Sequence, residues 1–341
     1  MDIKQIRDAA REKLKPHCRV CPSCDGRACA GEVPGVGGIG TGESFMENVK
    51  ALAAWKLHIR TLHDSAPFDT TLDLWGFTLT NPIMGAPLAG LAAHFQKKLD
   101  EQEIVDAILS GCLAGGSLGW IGDGVNPAMF TASLELVKRY KGRAIVTIKP
   151  RGVQEIMKRI RMAEEAEALA VAIDVDAAGF HAMATRGQPV GPTKPADIAA
   201  IVAGTHLPVI LKGIMTPDEA ALAASLGVAG IVVSNHGGRV LESSLGTADV
   251  LPGIAAAVSG KTRIFFDGGV RNGVDVLKAL ALGAEGVLVG RPFIVAAAGG
   301  GAQGVRMIID SMEEDLVRAM TLTGVASVHQ VPSTVVTRRQ C

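Results

Sequence analysis

The sequence predicts an α/β fold, a closed (β/α)8 TIM barrel with an amino-terminal helical and cysteine-rich extension, and three observations predict it. From about residue 80 the chain repeats one cadence: a short apolar run, a glycine or polar break, then a stretch of helical period. The apolar runs are Pro82–Leu88, Cys112–Leu118, Ala144–Lys149, Leu169–Val175, Pro208–Lys212, Gly230–Ser234, Arg263–Asp267 and Gly286–Gly290. Helical patterns such as Glu101–Ser110, Val153–Glu167, Pro217–Leu226 and Val274–Leu282 separate most of them. Strands alternating with helices make a parallel sheet, and eight units over this length favour closure over an open doubly wound sheet, the alternative. The ends of the runs carry Ser117, Lys149, Asp174, Lys212, His236, Asp267 and Arg291. A barrel places its chemistry at the carboxyl ends of its strands, and these ends are rich in ionisable groups.

Length and charge bound the rest. With 341 residues, 48% of them hydrophobic and 20% charged, the chain suffices for one large domain plus an extension. We divide it into an amino-terminal segment, 1–65, the barrel, 66–330, and a tail, 331–341. Lys+Arg and Asp+Glu balance at 34 each, which leaves no field for nucleic acid or an anionic membrane. Met1 precedes a charged helical pattern from Asp2 to Lys13 with no apolar signal core. No uninterrupted apolar run approaches membrane-spanning length, and a cytoplasmic protein is expected.

The most informative stretch is Asn235-His236-Gly237-Gly238-Arg239, directly behind the run Gly230–Ser234. An imidazole can take a proton near neutral pH, and a guanidinium fork can clamp a carboxylate in two parallel hydrogen bonds. A core histidine beside a surface arginine is the plainer alternative for such a pair alone. Two further features favour the chemical one. Asp267-Gly268-Gly269-Val270-Arg271 and Gly290-Arg291-Pro292 close the last two runs, the corner where barrels place a phosphate. Lys212 ends another run, where it could snorkel to solvent, form a Schiff base or place positive charge beside a flavin. One phosphate site suits a mononucleotide, which favours FMN.

These residues reach a known family. Val233-Ser-Asn-His-Gly-Gly-Arg239, Phe266–Asp275, Lys278–Ala284 and Gly290-Arg-Pro292 closely resemble the FMN-dependent α-hydroxy acid oxidases and dehydrogenases, among them glycolate oxidase, lactate oxidase and mandelate dehydrogenase. The resemblance is specific over about residues 208–330, looser from Glu43 through Asn48, Trp55-Lys56-Leu57 and Asn81-Pro82-Ile83, and fades before residue 43. It implies oxidation of a 2-hydroxy acid to a 2-keto acid, with His236 as base, Asp174 orienting it and Arg239 on the substrate carboxylate. It places Lys212 near the flavin N1–O2 edge and Ser234 at the flavin end of its strand. Asp267 would bind the ribityl chain, and Gly268, Gly269, Arg271, Gly290 and Arg291 the phosphate. Ala86, Pro87, Leu88, Ala89 and Ser117 would line the ring. A homo-oligomer, tetrameric in the family, is also implied.

The chain departs from the family's substrate shell. One expected tyrosine aligns with Pro34-Gly35 and a second with Lys149; the glutamine near the flavin is Thr147, and a second carboxylate-binding arginine is His181. Lys149 and His181 could still bind an anion, a larger or more acidic one, while glycolate and lactate should be weak substrates. The amino terminus is unusual as well. Cys18-x2-Cys21-x2-Cys24-x4-Cys29 holds four of the six cysteines, a spacing that favours an Fe–S cluster or zinc, with His17 a further zinc ligand, over a disulfide framework. Redox-active thiols are the alternative. Cys112 is expected in a core strand, and Cys341 in a frayed basic tail.

Gly35-Val-Gly37-Gly-Ile-Gly40 matches G-x-G-x-x-G, but no strand-like run precedes it and no acidic residue lies between Glu47 and Asp64, so it reads as a loop leading to a helix around Glu47–Leu57. Gly299-Gly-Gly301 likewise reads as the loop entering a last helix, Val305–Thr323. The electron acceptor is open among oxygen, a quinone and a protein reached through the cysteines. A flavin-dependent isomerase on the same barrel and a flavin/thiol redox sensor are the alternative functions.

Overall fold

The computed structural model describes residues 1–32, 36–64, 66–91, 95 and 99–339, with backbone alone at 181 and 182. Eight parallel strands close into a barrel: β4 (Ile83–Leu88), β5 (Gly119–Ile121), β6 (Ala144–Ile148), β7 (Ala170–Asp174), β8 (Val209–Ile214), β9 (Gly230–Val233), β10 (Arg263–Phe266) and β11 (Gly286–Val289). Each pairs with the next in sequence, and β11 closes on β4. β-branched residues dominate, as in Ala-Ile-Val-Thr-Ile of β6, and both faces are buried. Alternate side chains point in and out. Met84, Trp120, Ile145, Ala172, Ile210, Val232, Phe265 and Leu288 fill the interior, with the Trp120 and Phe265 rings edge to face at 5.9 Å. A hairpin of β2 (Leu72–Leu74) and β3 (Phe77–Leu79) packs Leu72, Leu74 and Leu79 onto the same interior cluster.

The second strand lies later than the apolar run Cys112–Leu118 suggests. The helix Glu101–Ala114 continues through Cys112, whose side chain is buried against β4; a Cβ at Gly85 would lie 3.1 Å from its Sγ. Gly116, at φ 71°, ends the helix with Ser117 N–H donating back to the Cys112 carbonyl at 2.8 Å. A buried helical turn and a buried strand show the same apolar run, so periodicity alone misplaced this boundary.

The amino-terminal segment packs on the barrel's helices. Helix Ile3–Leu14, capped by Asp2 and Gln5, lies against the long helix Arg291–Thr323. That helix begins fourteen residues before the expected Val305, because Gly299 and Gly300 are helical and let helix Ile3–Leu14 approach; a Cβ on Gly299 would sit 2.0 Å from the Ile6 carbonyl oxygen. Only Gly301, at φ 57° and ψ −148°, breaks it. By length and composition it is apolar enough to cross a membrane; here Phe293, Ala296, Val305, Ile309, Leu316 and Met320 are buried in the core. The helix expected around Glu47–Leu57 is Glu43–Ala54, followed by β1 (Trp55–Leu57), which pairs antiparallel with β12 (Val336–Arg338). The basic tail is therefore paired rather than frayed at 336–338, and Cys341 lies outside the described residues.

Candidate active site

The carboxyl ends of β6 to β10 converge on one buried charge network. Asp174 ends β7 and pairs in register with Lys212 of β8, which places the two at the same height. Asp174 accepts from Lys149 Nζ on one oxygen and from Lys212 Nζ, at 3.2 Å, on the other. Lys212 also donates to Ser234 Oγ at 3.1 Å, and Ser234 Oγ donates to Asp267 Oδ2 at 2.9 Å. Burial alone would raise the Asp174 carboxyl, but the charges of His236, Lys149 and Lys212 hold it well below the usual range. Burial likewise disfavours the Lys212 ammonium, and Asp174, Asp176 and Asp267 more than compensate, raising its pKa.

His236 sits at φ 58°, a left-handed conformation uncommon for a residue with a Cβ, followed by Gly237 and Gly238 at φ 63° and 76°. The turn is held by Ser234 Oγ, which accepts from His236 N–H at 3.1 Å, and by reciprocal amide bonds of 2.7 and 3.0 Å between Asn48 and Asn235. Gly238 is required by close approach; a Cβ there would lie 2.4 Å from the Phe45 nitrogen.

His236 Nδ1 lies 2.8 Å from Asp176 Oδ1 and 3.4 Å from Asp174 Oδ1. The orienting carboxylate in short contact is thus Asp176, and Asp174, committed to two lysines, is the second partner. Asp176 went unnoticed in the sequence, although Asp174-Val-Asp176 puts two acids at one strand end. It is seated against Gly213, where a Cβ would lie 2.5 Å from the Asp176 side chain. Phe180 was also missed. Its ring meets His236 edge-on at 4.8 Å, Lys149 Nζ lies 4.8 Å over it, and the Arg239 guanidinium carbon 5.7 Å.

A cavity of about 490 Å³ opens above this network. Its floor and walls include Ala86 to Ala89, Lys212, His236, Arg239, Asp267 to Arg271, Gly290 and Arg291, and its roof includes Cys18, Cys21, Cys24 and Cys29. Arg271 donates from Nε and Nη2 to the Cys24 carbonyl at 3.0 and 2.8 Å. Arg291 donates to the Val36 carbonyl at 2.9 Å and the Gly237 carbonyl at 3.0 Å, over the Phe45 ring at 3.8 Å. Burial lowers the Arg291 pKa to about 10 and also lowers that of Arg239. The two arginines expected at a phosphate thus also fasten the cysteine segment over that corner.

Several expected residues stand elsewhere. Ser117 donates to the Ile83 carbonyl at the opening of β4, the opposite end of the barrel from the cavity, a consequence of the misplaced second strand. Lys149 is locked on Asp174 rather than offered to a substrate, and Asp123 accepts its backbone N–H at 3.0 Å. Tyr140, the one tyrosine in the sequence and at neither of the family's tyrosine positions, bonds Asp106 at 2.6 Å on the helical layer. Pro34 and Gly35, like the His181 side chain, lie outside the described residues. Among the described residues, Asp174, Asp176 and His236 are the trio with ligand atoms within 4.8 Å of one another, whereas no three of the cysteine sulfurs come that close. His17 packs edge-on against Phe95 and takes no place in such a trio.

The residues fit FMN. The cavity has the size of a small-molecule site, and Asp267 Oδ1 and Thr147 Oγ1 are buried near the strand ends without a hydrogen-bond partner, which such groups ordinarily require. Burial raises the Asp267 carboxyl.

A closed (β/α)8 barrel with a histidine on two carboxylates and a guanidinium corner at its last two strands defines a flavin mononucleotide oxidoreductase. Residues 36–193 and 179–338 match the family described as FMN-dependent dehydrogenase, and the chain belongs to it. It is 32% identical to 2-hydroxyacid oxidase 1 of Mus musculus over 326 residues, 86% of this chain and 88% of that one. It is 48% identical to L-lactate oxidase of Lactobacillus jensenii over 137 residues, 40% of this chain and 34% of that one. A crystal structure of mandelate oxidase matches with a TM-score of 0.80 at 28% identity, covering 98% of this chain and 97% of that one.

Proposed function

We propose that this chain oxidises a 2-hydroxy acid to the 2-keto acid in the cavity above His236. The observation that carries it is His236 on Asp176 and Asp174, three residues from the half-buried Arg239 and lining the same cavity. Arg239 holds the substrate carboxylate in its planar fork. With Nδ1 committed to the carboxylates, His236 Nε2 takes the substrate proton, and Asp176 and Asp174 stabilise the imidazolium that results. Bound FMN supplies a two-electron acceptor. Asp267 and Thr147 would meet its polar edge, Ala86 to Ala89 its ring, and Gly268, Gly269, Gly290, Arg271 and Arg291 its phosphate, with Lys212 as the buried positive charge nearby. The same reading extends to a cytoplasmic homo-oligomer, a tetramer, and to the four cysteines as a second centre leading to an electron-acceptor protein.

With Lys149 on Asp174 and Tyr140 remote, little remains to hold a short 2-hydroxy acid besides His236 and Arg239. The FMN-loaded protein, titrated without air with a panel of 2-hydroxy acids, should lose its flavin colour and release an equal amount of 2-keto acid. Larger or more acidic members should act well, glycolate and lactate weakly. A flavin that no member bleaches would overturn the reading.

A further inference from the structure

The cysteine segment is a cluster of metal-ligating side chains that the proton transfer at His236 does not use. All four cysteines precede residue 36, where the family match begins, yet their side chains roof the cavity beside its catalytic wall. They are half-buried and none is in a disulfide. The backbone, not the thiols, anchors the segment. Arg7 and Arg11 donate to the Val20 carbonyl at 3.3 and 3.2 Å, Arg271 to that of Cys24, and Arg291 to that of Val36. Cys29 Sγ lies 3.8 Å from the Gly26 carbonyl and the Cys18 thiol meets the Val20 backbone, while the guanidinium groups around the segment favour an anionic occupant.

Sulfur spacing discriminates between occupants. A tetrahedral zinc site with Zn–S of ~2.3 Å draws its sulfurs to roughly 3.8 Å from one another. Here no three of the four come within 4.8 Å of one another, so the ring of thiols is wider than a single ion closes. All four thiol-bearing residues nevertheless line the same cavity. A cluster in which each thiolate takes a different iron holds its thiolates farther apart than one ion does.

We propose that Cys18, Cys21, Cys24 and Cys29 bind one iron–sulfur cluster, one thiolate per iron, as the roof of the cavity. Its use as an electron outlet rests on the oxidation proposed above; its binding does not. Oxidation of a 2-hydroxy acid releases two electrons and two protons. The cluster would pass the electrons one at a time to a one-electron carrier protein, returning to its oxidised form after each, while the protons leave to solvent.

The test is the full chain purified without air, with iron, acid-labile sulfide and zinc measured per chain and an electron paramagnetic resonance spectrum recorded after chemical reduction. Iron and sulfide should be equal, one of each per cysteine of the segment, with a one-electron signal. Cys21→Ser and Cys29→Ser should lose both, whereas Cys112→Ala, outside the segment, should retain them. Should the serine variants not fold, the parental stoichiometry still decides. Zinc without sulfide, or four thiols titrating freely in the metal-free native protein, would overturn the proposal. Anaerobic flavin bleaching by substrate in the same preparation reports on the oxidation separately, so the two readings can fail independently.

Discussion

Replacing Asp176 by Asn separates the two carboxylates beside His236. Asparagine keeps the shape and an accepting oxygen at the 2.8 Å contact but removes the charge that stabilises the imidazolium. A hydrogen bond to a charged group contributes about 1.5–3 kcal/mol, and each ~1.4 kcal/mol is tenfold in rate, so flavin reduction should slow by roughly 10- to 150-fold. The loss stays below that of removing the base because Asp174 Oδ1 remains 3.4 Å away. KM should move little, since Arg239 carries the substrate carboxylate. Stability should change little too, as Asp176 Oδ2 has no hydrogen bond to lose and Lys212 keeps Asp174 and Asp267. Asp174→Asn should behave differently. It strips the carboxylate from buried Lys149 and the nearest one from Lys212, which keeps only Asp176 and Asp267 at 3.8 Å, a change of about 3–5 kcal/mol that should lower Tm and loosen the cofactor. The assay is anaerobic stopped-flow bleaching of the flavin beside a thermal melt of each variant. Parental reduction rates in Asp176→Asn, or a Tm loss equal to that of Asp174→Asn, would refute the division of labour.

His236→Ala should keep its flavin and lose about 10²–10⁴-fold in the rate of reduction by substrate, read in the same stopped-flow experiment. On the acid side, the depressed pKa of Asp174 means that its contribution to stability is complete above the ordinary carboxylate value of ~3.9 and fades as pH falls through the lower folded value. Urea melts from neutral to acid pH should show this loss, and the difference curve against Asp174→Asn isolates it from Asp267, whose raised pKa acts with opposite sign.

Much of the barrel and the identity of its reactive wall were legible in the chain. Buried parallel strands read as short β-branched runs, and strand ends in a barrel all open on one face, so Lys212, His236, Arg239, Asp267 and Arg291 could be grouped without coordinates. The boundary at Cys112–Leu118 was not legible, because burial makes a helical turn and a strand equally apolar, and Ser117 was carried to the wrong end of the barrel with it. Local spacing also could not show which charges meet across strands. Lys149 on Asp174, Asp176 on His236 and Phe180 beneath the cations are contacts between residues about 25 to 60 positions apart or packed around a turn, set by barrel register and side-chain direction. The cysteine motif was plain in sequence, but its place over the cavity depends on Arg271 and Arg291 reaching back some 250 residues to bind the Cys24 and Val36 carbonyls. Sequence determines which groups each strand end can present; closure of the barrel decides their partners, because pairing energy depends on distance through space.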